Sequence, residues 1–271
     1  MRSTSAASLA SVATDFEPVL RAAGAEARAL GAQMFAVVDA LDSSGSLRRA
    51  ITDPSRSAED KAALVEVLLG GRVDERVADV VAALARSRWS AEAELTEALE
   101  QLAADAVLAG AQAAGRLERV EDELFRLDRL LIGQRELRRA LTDRAMEPEQ
   151  RAVLVRDLLA DKVAPTTLQL VERAALAPRG RTMAVMLGML GRLAARRRQR
   201  LAALVEVASP LSDSQAARLT SILERAYGQQ VQLNVSVDPD LVGGVRVRVG
   251  SDVVDSTVLA RLEDARRRLA G

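Results

Sequence analysis

The chain has 271 residues, which is enough for about two domains. Its 38 basic and 38 acidic residues balance, which argues against a dedicated partner of nucleic acid or of an anionic membrane surface. Hydrophobic residues make up 49% of the chain and aromatic residues only 2%. We therefore expect a core of Ala, Leu and Val, as in packed helices, rather than an aromatic-lined ligand pocket.

Neither cysteine nor histidine occurs in the sequence. This excludes disulfides, thiolate nucleophiles, imidazole bases and metal sites built on Cys or His. Chemistry that needs only carboxylates, or only Ser and Lys, stays formally open, and no cofactor is expected. An enzyme is therefore one rival interpretation, although no residue pattern supports it.

The N-terminal residues, Met1 to Ser8, lack the long apolar core of a signal peptide. The longest apolar run, Met183 to Leu190, is far shorter than the ~20 residues that span a bilayer. We therefore expect a cytoplasmic protein that reaches a membrane only through its partners.

An internal repeat with an offset of 90 residues dominates the first part of the chain. The block from Leu47 to Asp53 returns almost unchanged from Leu137 to Asp143, and Phe35 matches Phe125 at the same offset. Further matches follow in order and without a gap, which indicates a duplicated unit.

Each copy is expected to form several helices. In the first copy, Ser57 is the predicted N-cap of a helix that ends at Gly70-Gly71. In the second copy, the last predicted helix runs from Thr182 to Val205. The expected domains are a first bundle in residues 1–115, a second in residues 116–206 and a small C-terminal domain in residues 207–271.

The C-terminal part changes from helical to strand periodicity. Val231 to Val237 and Val245 to Val249 alternate apolar and polar residues, which predicts two half-buried strands. A capping box at Ser212–Gln215 opens a helix before them, and the apolar positions from Val258 to Leu269 predict another after them. The predicted fold class is mainly α: two tandem related helical bundles followed by a small α-β-β-α C-terminal domain.

An ordered set of residues near the C-terminus closely resembles the signature of the ATP synthase delta subunit family, whose mitochondrial member is the oligomycin-sensitivity-conferring protein. The set is Leu241, Gly243, Gly244, Val245, Gly250, Asp255, Thr257, Arg261, Leu262 and Leu269. Thr257 stands where the family usually has serine, and Ser256 where it has glycine, but both can cap a helix. The family usually carries one helical bundle before this domain, so the resemblance covers the whole chain only if that bundle occurs twice.

The resemblance implies a non-catalytic connector in the peripheral stalk of a rotary F-type ATP synthase. The bundle would hold the catalytic head through the N-termini of alpha subunits, and the C-terminal domain would hold the membrane-anchored b-type stalk. One copy per complex would then resist rotor torque at the cytoplasmic face of the plasma membrane, with no nucleotide or nucleic acid as partner. A helical-repeat adaptor of another multisubunit complex is the alternative that composition and periodicity leave open.

Two apolar clusters lie where the family's bundle would present a groove to an alpha-subunit helix. They are Val77, Val80, Val81 and Leu84 in the first copy, and Leu168 and Val171 in the second. The alternative is that these side chains simply close their own bundle, as apolar stripes at helical spacing usually do.

The two copies differ in charge although they share an apolar pattern. Residues 173–205 contain eight arginines and no acid, whereas the equivalent residues 83–115 contain two arginines and five acids. Arg196, Arg197 and Arg198 are therefore candidate electrostatic contacts with an acidic surface of the stalk or head. Two alternatives are a solvated helix face and an arrangement in which the two copies face each other.

Overall fold

The computed structural model describes residues 2–142, 146–198, 201–227, 231–238, 241, 244–249 and 252–255. The chain divides into two compact units, residues 1–198 and residues 199–271. The described part of the first unit is helical, and that of the second combines a small sheet with one helix. The predicted class, mainly α with a small α/β domain at the C-terminal end, is confirmed.

The described residues of the first unit form eleven α-helices. They are α1 (Ser3–Ala23), α2 (Ala27–Ser43), α3 (Gly45–Thr52), α4 (Ala58–Leu69), α5 (Glu75–Arg86), α6 (Glu92–Ala113), α7 (Leu117–Gly133), α8 (Arg135–Thr142), α9 (Pro148–Leu159), α10 (Pro165–Leu176) and α11 (Met183–Arg198).

Polar caps and prolines start several of these helices. The Ser57 hydroxyl accepts from the Asp60 N–H at 3.0 Å, which confirms it as the N-cap of α4. Asp74 caps α5 in the same way by accepting from the Arg76 N–H at 3.0 Å. Pro165 lies in the first turn of α10, where the missing N–H of proline leaves no bond unmade.

The 90-residue repeat is visible in the helix ends. Helices α7, α8, α9 and α10 begin and end 90 residues after α2, α3, α4 and α5. The repeated sequence therefore folds into a repeated structure. The two copies nevertheless lie within one compact unit rather than in two.

Helix α6 belongs to both copies. It closes the first copy, as α11 closes the second, and it also stands about 90 residues after α1 and so opens the second copy. Between Leu95 and Ala111, only Glu97, Gln101 and Asp105 escape burial, and they form one narrow stripe at i, i+4 and i+8. A helix buried around most of its circumference is what a place at the centre of two bundles requires.

Helices α2 and α6 approach each other closely because each has a glycine at the crossing. A Cβ atom on Gly31 would lie 2.6 Å from the Ala103 carbonyl oxygen, and one on Gly110 would lie 2.8 Å from the Arg28 backbone nitrogen. The distance between two packed helices depends on the side chains at their contact. The two glycines therefore hold the backbones of α2 and α6 together.

The second unit contains four strands and one helix in its described residues. They are β1 (Leu201–Val207), α12 (Asp213–Tyr227), β2 (Val231–Val237), β3 (Val245–Val249) and β4 (Asp252–Asp255). The strand order is β2-β1-β3-β4, with β1 and β2 parallel and the other neighbours antiparallel. Helix α12 makes the crossover that a parallel pair needs, and its Leu223 packs on Val205, Val207 and Val247.

Two sequence predictions in this region are wrong. The helix predicted from Thr182 to Val205 ends at Arg198, and Leu201–Val207 is instead the strand β1. The described part of the sheet also has four strands rather than two. Strand β1 lies inside the sheet, and an interior strand reads as an almost continuous apolar run that periodicity cannot distinguish from a buried helix.

Other predictions for this region are confirmed. The strands β2 and β3 have the predicted bounds. In the capping box, the Ser212 N–H donates to the Gln215 side chain at 2.9 Å, and the Gln215 N–H donates to the Ser212 hydroxyl at 3.3 Å. The helix predicted from Val258 to Leu269 lies outside the described residues.

Candidate functional site at the junction of the two copies

The apolar residues predicted to line partner grooves lie in or against the helical core. Five of the six are buried, and one, Leu168, is half-buried. The buried ones are Val77, Val80, Val81, Leu84 and Val171. These side chains close their own bundles, as the alternative interpretation expects. A partner on α5 or α10 would therefore meet other residues of those helices. In the second copy, Val171 also lines a cleft of about 550 Å³ among α7, α9, α10 and α11.

Arg197, one of the three candidate contact arginines, is an internal tie. Its side chain is 7% exposed, and it donates to Asp105 at 2.9 Å and to Glu17 at 2.7 Å. Burial lowers the pKa of Arg197, but the carboxylates of Asp105 and Glu17 outweigh burial, so the pKa lies above its ordinary value. The guanidinium therefore stays charged and links α1, α6 and α11.

The two neighbouring arginines differ from Arg197. Arg198 forms an ion pair with Glu121 on α7, within the second copy. Arg196 is exposed on α11. Of the three arginines, Arg196 is thus the one whose surroundings fit a solvated helix face.

Helix α2 of the first copy meets α10 of the second through a buried arginine. The Arg173 guanidinium donates to Asp39 at 2.6 Å and lies 4.9 Å from the centroid of the Phe35 ring. On the same face, Arg28 donates to Gln169 at 2.6 Å. A guanidinium at this distance from an aromatic face adds a cation–π attraction to the ion pair. The face of α2 is therefore matched to α10 in both shape and charge.

The loop between α10 and α11 adds a second set of contacts. Arg179 forms an ion pair with Asp42 at the end of α2, and Arg181 donates to Glu100 of the shared helix at 2.5 Å. Glu100 is only 2% exposed, so its charge depends on these arginines for compensation. The loop therefore fixes the second copy to both α2 and α6.

These contacts account for the opposite charge of the two copies. Acids of the first copy and of the shared helix meet arginines of the second copy, so the two copies face each other. The charge divergence predicted this general arrangement as one alternative. The acids Asp39, Asp42 and Glu17 were missed, because packing rather than sequence order decides which acid meets which arginine.

A side chain from the second helix of each copy caps the fifth helix of the same copy. In the first copy, Gln33 accepts from the Asp74 N–H at 2.7 Å. Ninety residues later, Glu123 accepts from the Ala164 N–H at 2.8 Å and from the Thr167 hydroxyl at 2.5 Å. The same contact therefore recurs in both copies.

A carboxyl group at each of these two helix ends has a lowered pKa. Burial raises the pKa of the Glu123 carboxyl, but its hydrogen bonds, including one from Arg119, outweigh burial and hold the pKa below its ordinary value. In the first copy, the hydrogen bond from the Arg76 side chain lowers the pKa of Asp74 to about 2. Both carboxylates therefore stay charged at the N-terminus of a helix, where the helix dipole favours them.

The described residues of the C-terminal signature lie on or next to strands of the second unit. Gly244 precedes β3 with φ 91°, a conformation that glycine adopts readily and other residues rarely adopt. Leu241 and Val245 are half-buried, and Asp255 ends β4. The remaining residues of the signature lie outside the described residues: Gly243, Gly250, Thr257, Arg261, Leu262 and Leu269.

Neither a metal site nor a membrane helix is present in the part of the chain that the structure describes. No cluster of three acidic side chains is placed to hold a metal ion, and no helix is both long and apolar enough to cross a bilayer. The described residues define a class of protein: a duplicated helical bundle, joined across a charged internal junction, that is followed by a small α/β unit.

Comparison with known proteins identifies the family within this class. Residues 99–269 match the family described as ATP synthase delta (OSCP) subunit, and the match begins inside the shared helix α6. The ATP synthase subunit delta of Beutenbergia cavernae is 56% identical over 271 residues, which is 100% of both chains. The chain therefore belongs to the ATP synthase delta (OSCP) subunit family. This confirms the resemblance seen in the C-terminal signature, and it favours ATP synthase over an unrelated complex.

Further relatives agree over the same length. The ATP synthase subunit delta of Kineococcus radiotolerans is 46% identical and covers 98% of this chain and 96% of its own. That of Streptomyces griseus subsp. griseus is 42% identical and covers 100% of both. A chain in the cryo-EM structure of the Toxoplasma gondii mitochondrial ATP synthase hexamer is 23% identical with a TM-score of 0.28, covering 62% of this chain and 95% of that one.

Proposed function

We propose that this chain is the connector of the peripheral stalk of ATP synthase. The helical unit, residues 1–198, holds the catalytic head through its alpha subunits, and the unit of residues 199–271 holds the membrane-anchored b-type stalk. Membership of the delta (OSCP) family supports a place in the ATP synthase. The position of the family signature in the second unit supports the assignment of ends.

The main structural support for this proposal is that the two copies share a helix and are joined by buried ion pairs. A connector that resists torque must transmit force without sliding of its parts. Helix α6 is shared by the two copies. Two sets of ion pairs also join them: Arg181 with the buried Glu100, and Arg197 with Glu17 and Asp105. Removing one partner of a buried ion pair leaves an uncompensated charge, so such a junction resists separation.

In this proposal, catalysis belongs to other subunits. The chain binds no nucleotide, is present in one copy per complex, and reaches the cytoplasmic face of the plasma membrane only through its partners. Gly243-Gly244 precedes a strand rather than a helix, unlike the glycine-rich loops that bind phosphate at a helix N-terminus. We expect no ATP hydrolysis by the purified chain.

The proposal is tested by dividing the chain between its two units. A fragment of residues 1–198 should retain its helical content and capture the isolated catalytic head, but it should not capture the b-type subunit. The full chain with Gly244→Val should behave in the same way, because valine cannot readily adopt φ 91°. Capture of the b-type subunit at full strength by residues 1–198 would overturn the assignment of ends.

A further inference from the structure

Beside the Glu123 cap, the second copy contains an apolar cleft. It lies among helices α7 to α11 and has a volume of about 550 Å³, within the range of small-molecule sites. Eleven of the sixteen described residues that line it are apolar, including Leu127, Leu141 and Met183. We call this space the second-copy cleft.

Two residues of the second-copy cleft are less buried than their equivalents in the first copy. Leu127 and Leu141 are half-buried, whereas Val37 and Ile51, ninety residues earlier, are 5% and 1% exposed. All four are aliphatic, so the second copy keeps aliphatic side chains where water can reach them. Contact of aliphatic surface with water is unfavourable. An apolar ligand that displaced this water would therefore bind favourably.

The charged residues of the second-copy cleft leave one positive charge without compensation. Arg119 pairs with Glu123, and Arg126 pairs with Asp122, each at 2.7 Å. The fifth charged residue of the lining is Lys162, which is exposed. Among the described residues, its ammonium group has neither an ion pair nor a hydrogen bond. A lysine stem can lie along apolar surface while the ammonium group stays in water. The rim of the cleft therefore attracts an anionic group.

The lining also narrows the class of ligand. None of the sixteen described residues is aromatic, and none carries a hydroxyl or an amide side chain. A planar ring gains from aromatic partners, and a ligand with many polar groups needs placed donors and acceptors. A flexible alkyl chain needs neither, because the hydrophobic effect has no direction.

We propose that the second-copy cleft binds a single-chain anionic amphiphile of the fatty-acid class. The alkyl chain lies in the cleft, and the carboxylate lies beside Lys162. The cleft offers one apolar space and one unpaired positive charge, so the ligand has one chain and one charge. This inference goes beyond the connector role and does not depend on it.

Calorimetry on the full chain tests the ligand class, with sodium dodecanoate as the probe below its micelle concentration. One dodecanoate should bind per chain. Decanoate, which is shorter by two methylene groups, should bind about tenfold more weakly, because each methylene buried in the cleft adds to the affinity.

Charge reversal at two equivalent positions tests the role of the lysine. Lys162→Glu should weaken dodecanoate binding by about tenfold or more, because it places like charges together. The cationic probe dodecyltrimethylammonium should instead gain affinity for this variant. The matched control is Arg72→Glu, which reverses the equivalent residue of the first copy, also exposed, and should leave binding unchanged.

Methionine methyl NMR tests the location of the ligand. Met183 lines the second-copy cleft, and Met34 is fully buried in the first copy. Dodecanoate should shift the methyl signal of Met183 and leave that of Met34 in place.

Four results would overturn the inference: no saturable binding of dodecanoate, no dependence on chain length, equal effects of Lys162→Glu and Arg72→Glu, or a shift of Met34 without one of Met183. Sedimentation of the chain with phosphatidylglycerol vesicles, unchanged by Lys162→Glu, would also overturn it, because the chain would then bind a lipid surface. The connector proposal is judged separately. Failure to capture the catalytic head or the b-type subunit counts against the connector, and failure to bind dodecanoate counts against the cleft alone.

Discussion

Gln33 and Glu123 show how one residue can change within a duplication while its contact persists. Both accept a hydrogen bond from the first N–H groups of the fifth helix of their copy. In the first copy the negative charge at that helix end comes from Asp74, and in the second it comes from Glu123. The carboxylate is on the capping residue in the first copy and on the side chain that reaches the cap in the second, so both helices have a negative charge at the N-terminus.

The Glu123 cap is expected to contribute measurably to stability. Glu123→Ala leaves the buried Ala164 N–H and the buried Thr167 hydroxyl without this acceptor, which should lower the free energy of unfolding by about 1–3 kcal/mol. Glu123→Gln installs the residue of the first copy, keeps an acceptor for Ala164 and should lose less. Urea unfolding checks this order, and equal losses for both variants would contradict it.

Acid should lower the free energy of unfolding of the first unit, because it protonates the carboxylates of Asp74 and Glu123. Both have a folded-state pKa below the ordinary value, and that of Asp74 is about 2. A lowered pKa stabilises the fold above the unfolded pKa of about 4, and that contribution is lost as the pH falls toward the folded value. The free energy of unfolding should therefore fall from about pH 4 toward pH 2. Asp74→Asn should make this fall shallower in urea titrations at a series of pH values, whereas an unchanged slope would exclude Asp74 as a cause.

Arg197 and Arg196 are adjacent in sequence but should differ in effect. Arg197→Glu brings a third carboxylate beside Glu17 and Asp105, and breaking a buried pair costs about 3–5 kcal/mol. Arg196→Glu changes an exposed side chain and should stay within about 0.5 kcal/mol. Thermal unfolding of both variants, with Arg197→Met as a milder change, tests this. Equal melting temperatures for all three would contradict the internal tie.

At the scale of elements, α6 is the helix that turns two bundles into one unit. It meets α2 through a glycine pair and α11 through the ion pair of Asp105 with Arg197. Eight of its 22 residues are alanine and one is glycine, which lets neighbouring helices approach its backbone closely. The half-buried stripe of Glu97, Gln101 and Asp105 is too narrow for an ordinary surface helix. Its position between the copies explains why so little of its surface is accessible between Leu95 and Ala111.

Replacing glycine by alanine should have opposite effects on stability at Gly31, where α2 contacts α6 closely, and at Gly191 on α11. Gly31→Ala places a Cβ atom 2.6 Å from the Ala103 carbonyl oxygen and should destabilise the fold by about 1–3 kcal/mol. Gly191→Ala on α11 meets nothing within 4 Å, and replacing a mid-helix glycine by alanine should stabilise by about 0.5–1 kcal/mol. Chemical unfolding of the two variants tests the crossing. A neutral Gly31→Ala would mean that α2 and α6 separate easily.

At the scale of the whole molecule, the shared helix changes where the chain can be divided. The domain boundary predicted between residues 115 and 116 lies beyond α6, so it leaves the second copy without its first helix. The boundary predicted at residue 206 falls inside β1. We now propose that the first copy spans residues 1–113 and the second spans residues 92–198, with residues 92–113 common to both.

Fragments test this overlap. Residues 92–198 should unfold cooperatively in urea as a helical bundle, whereas residues 116–198, which lack α6, should not. The reason is that Leu95, Leu99 and Leu102 of α6 are fully or almost fully buried and form part of the core. Circular dichroism and urea titration of the two fragments provide the comparison. A cooperative transition for residues 116–198 would show that α6 belongs to the first copy alone.

Much of the fold could be predicted because the relevant signals are local. Ser57, the Ser212 capping box and the alternation in β2 and β3 act within a few residues, and all were predicted correctly. Strand β1 was missed because its apolar run carries no period that excludes a helix. The junction contacts were predicted only in outline. Asp39 and Arg173, for example, are 134 residues apart, and no local pattern connects them.

The sequence by itself determined the family, through the C-terminal signature, and the duplication, through the 90-residue offset. It also determined that the two copies carry opposite charge. Only the tertiary structure decided that one helix serves both copies, and that α2 of the first copy packs against α10 of the second. The physical reason is that burial and ion pairing depend on which surfaces meet. Residues at equivalent positions of a repeat share their local conformation, but their neighbours differ.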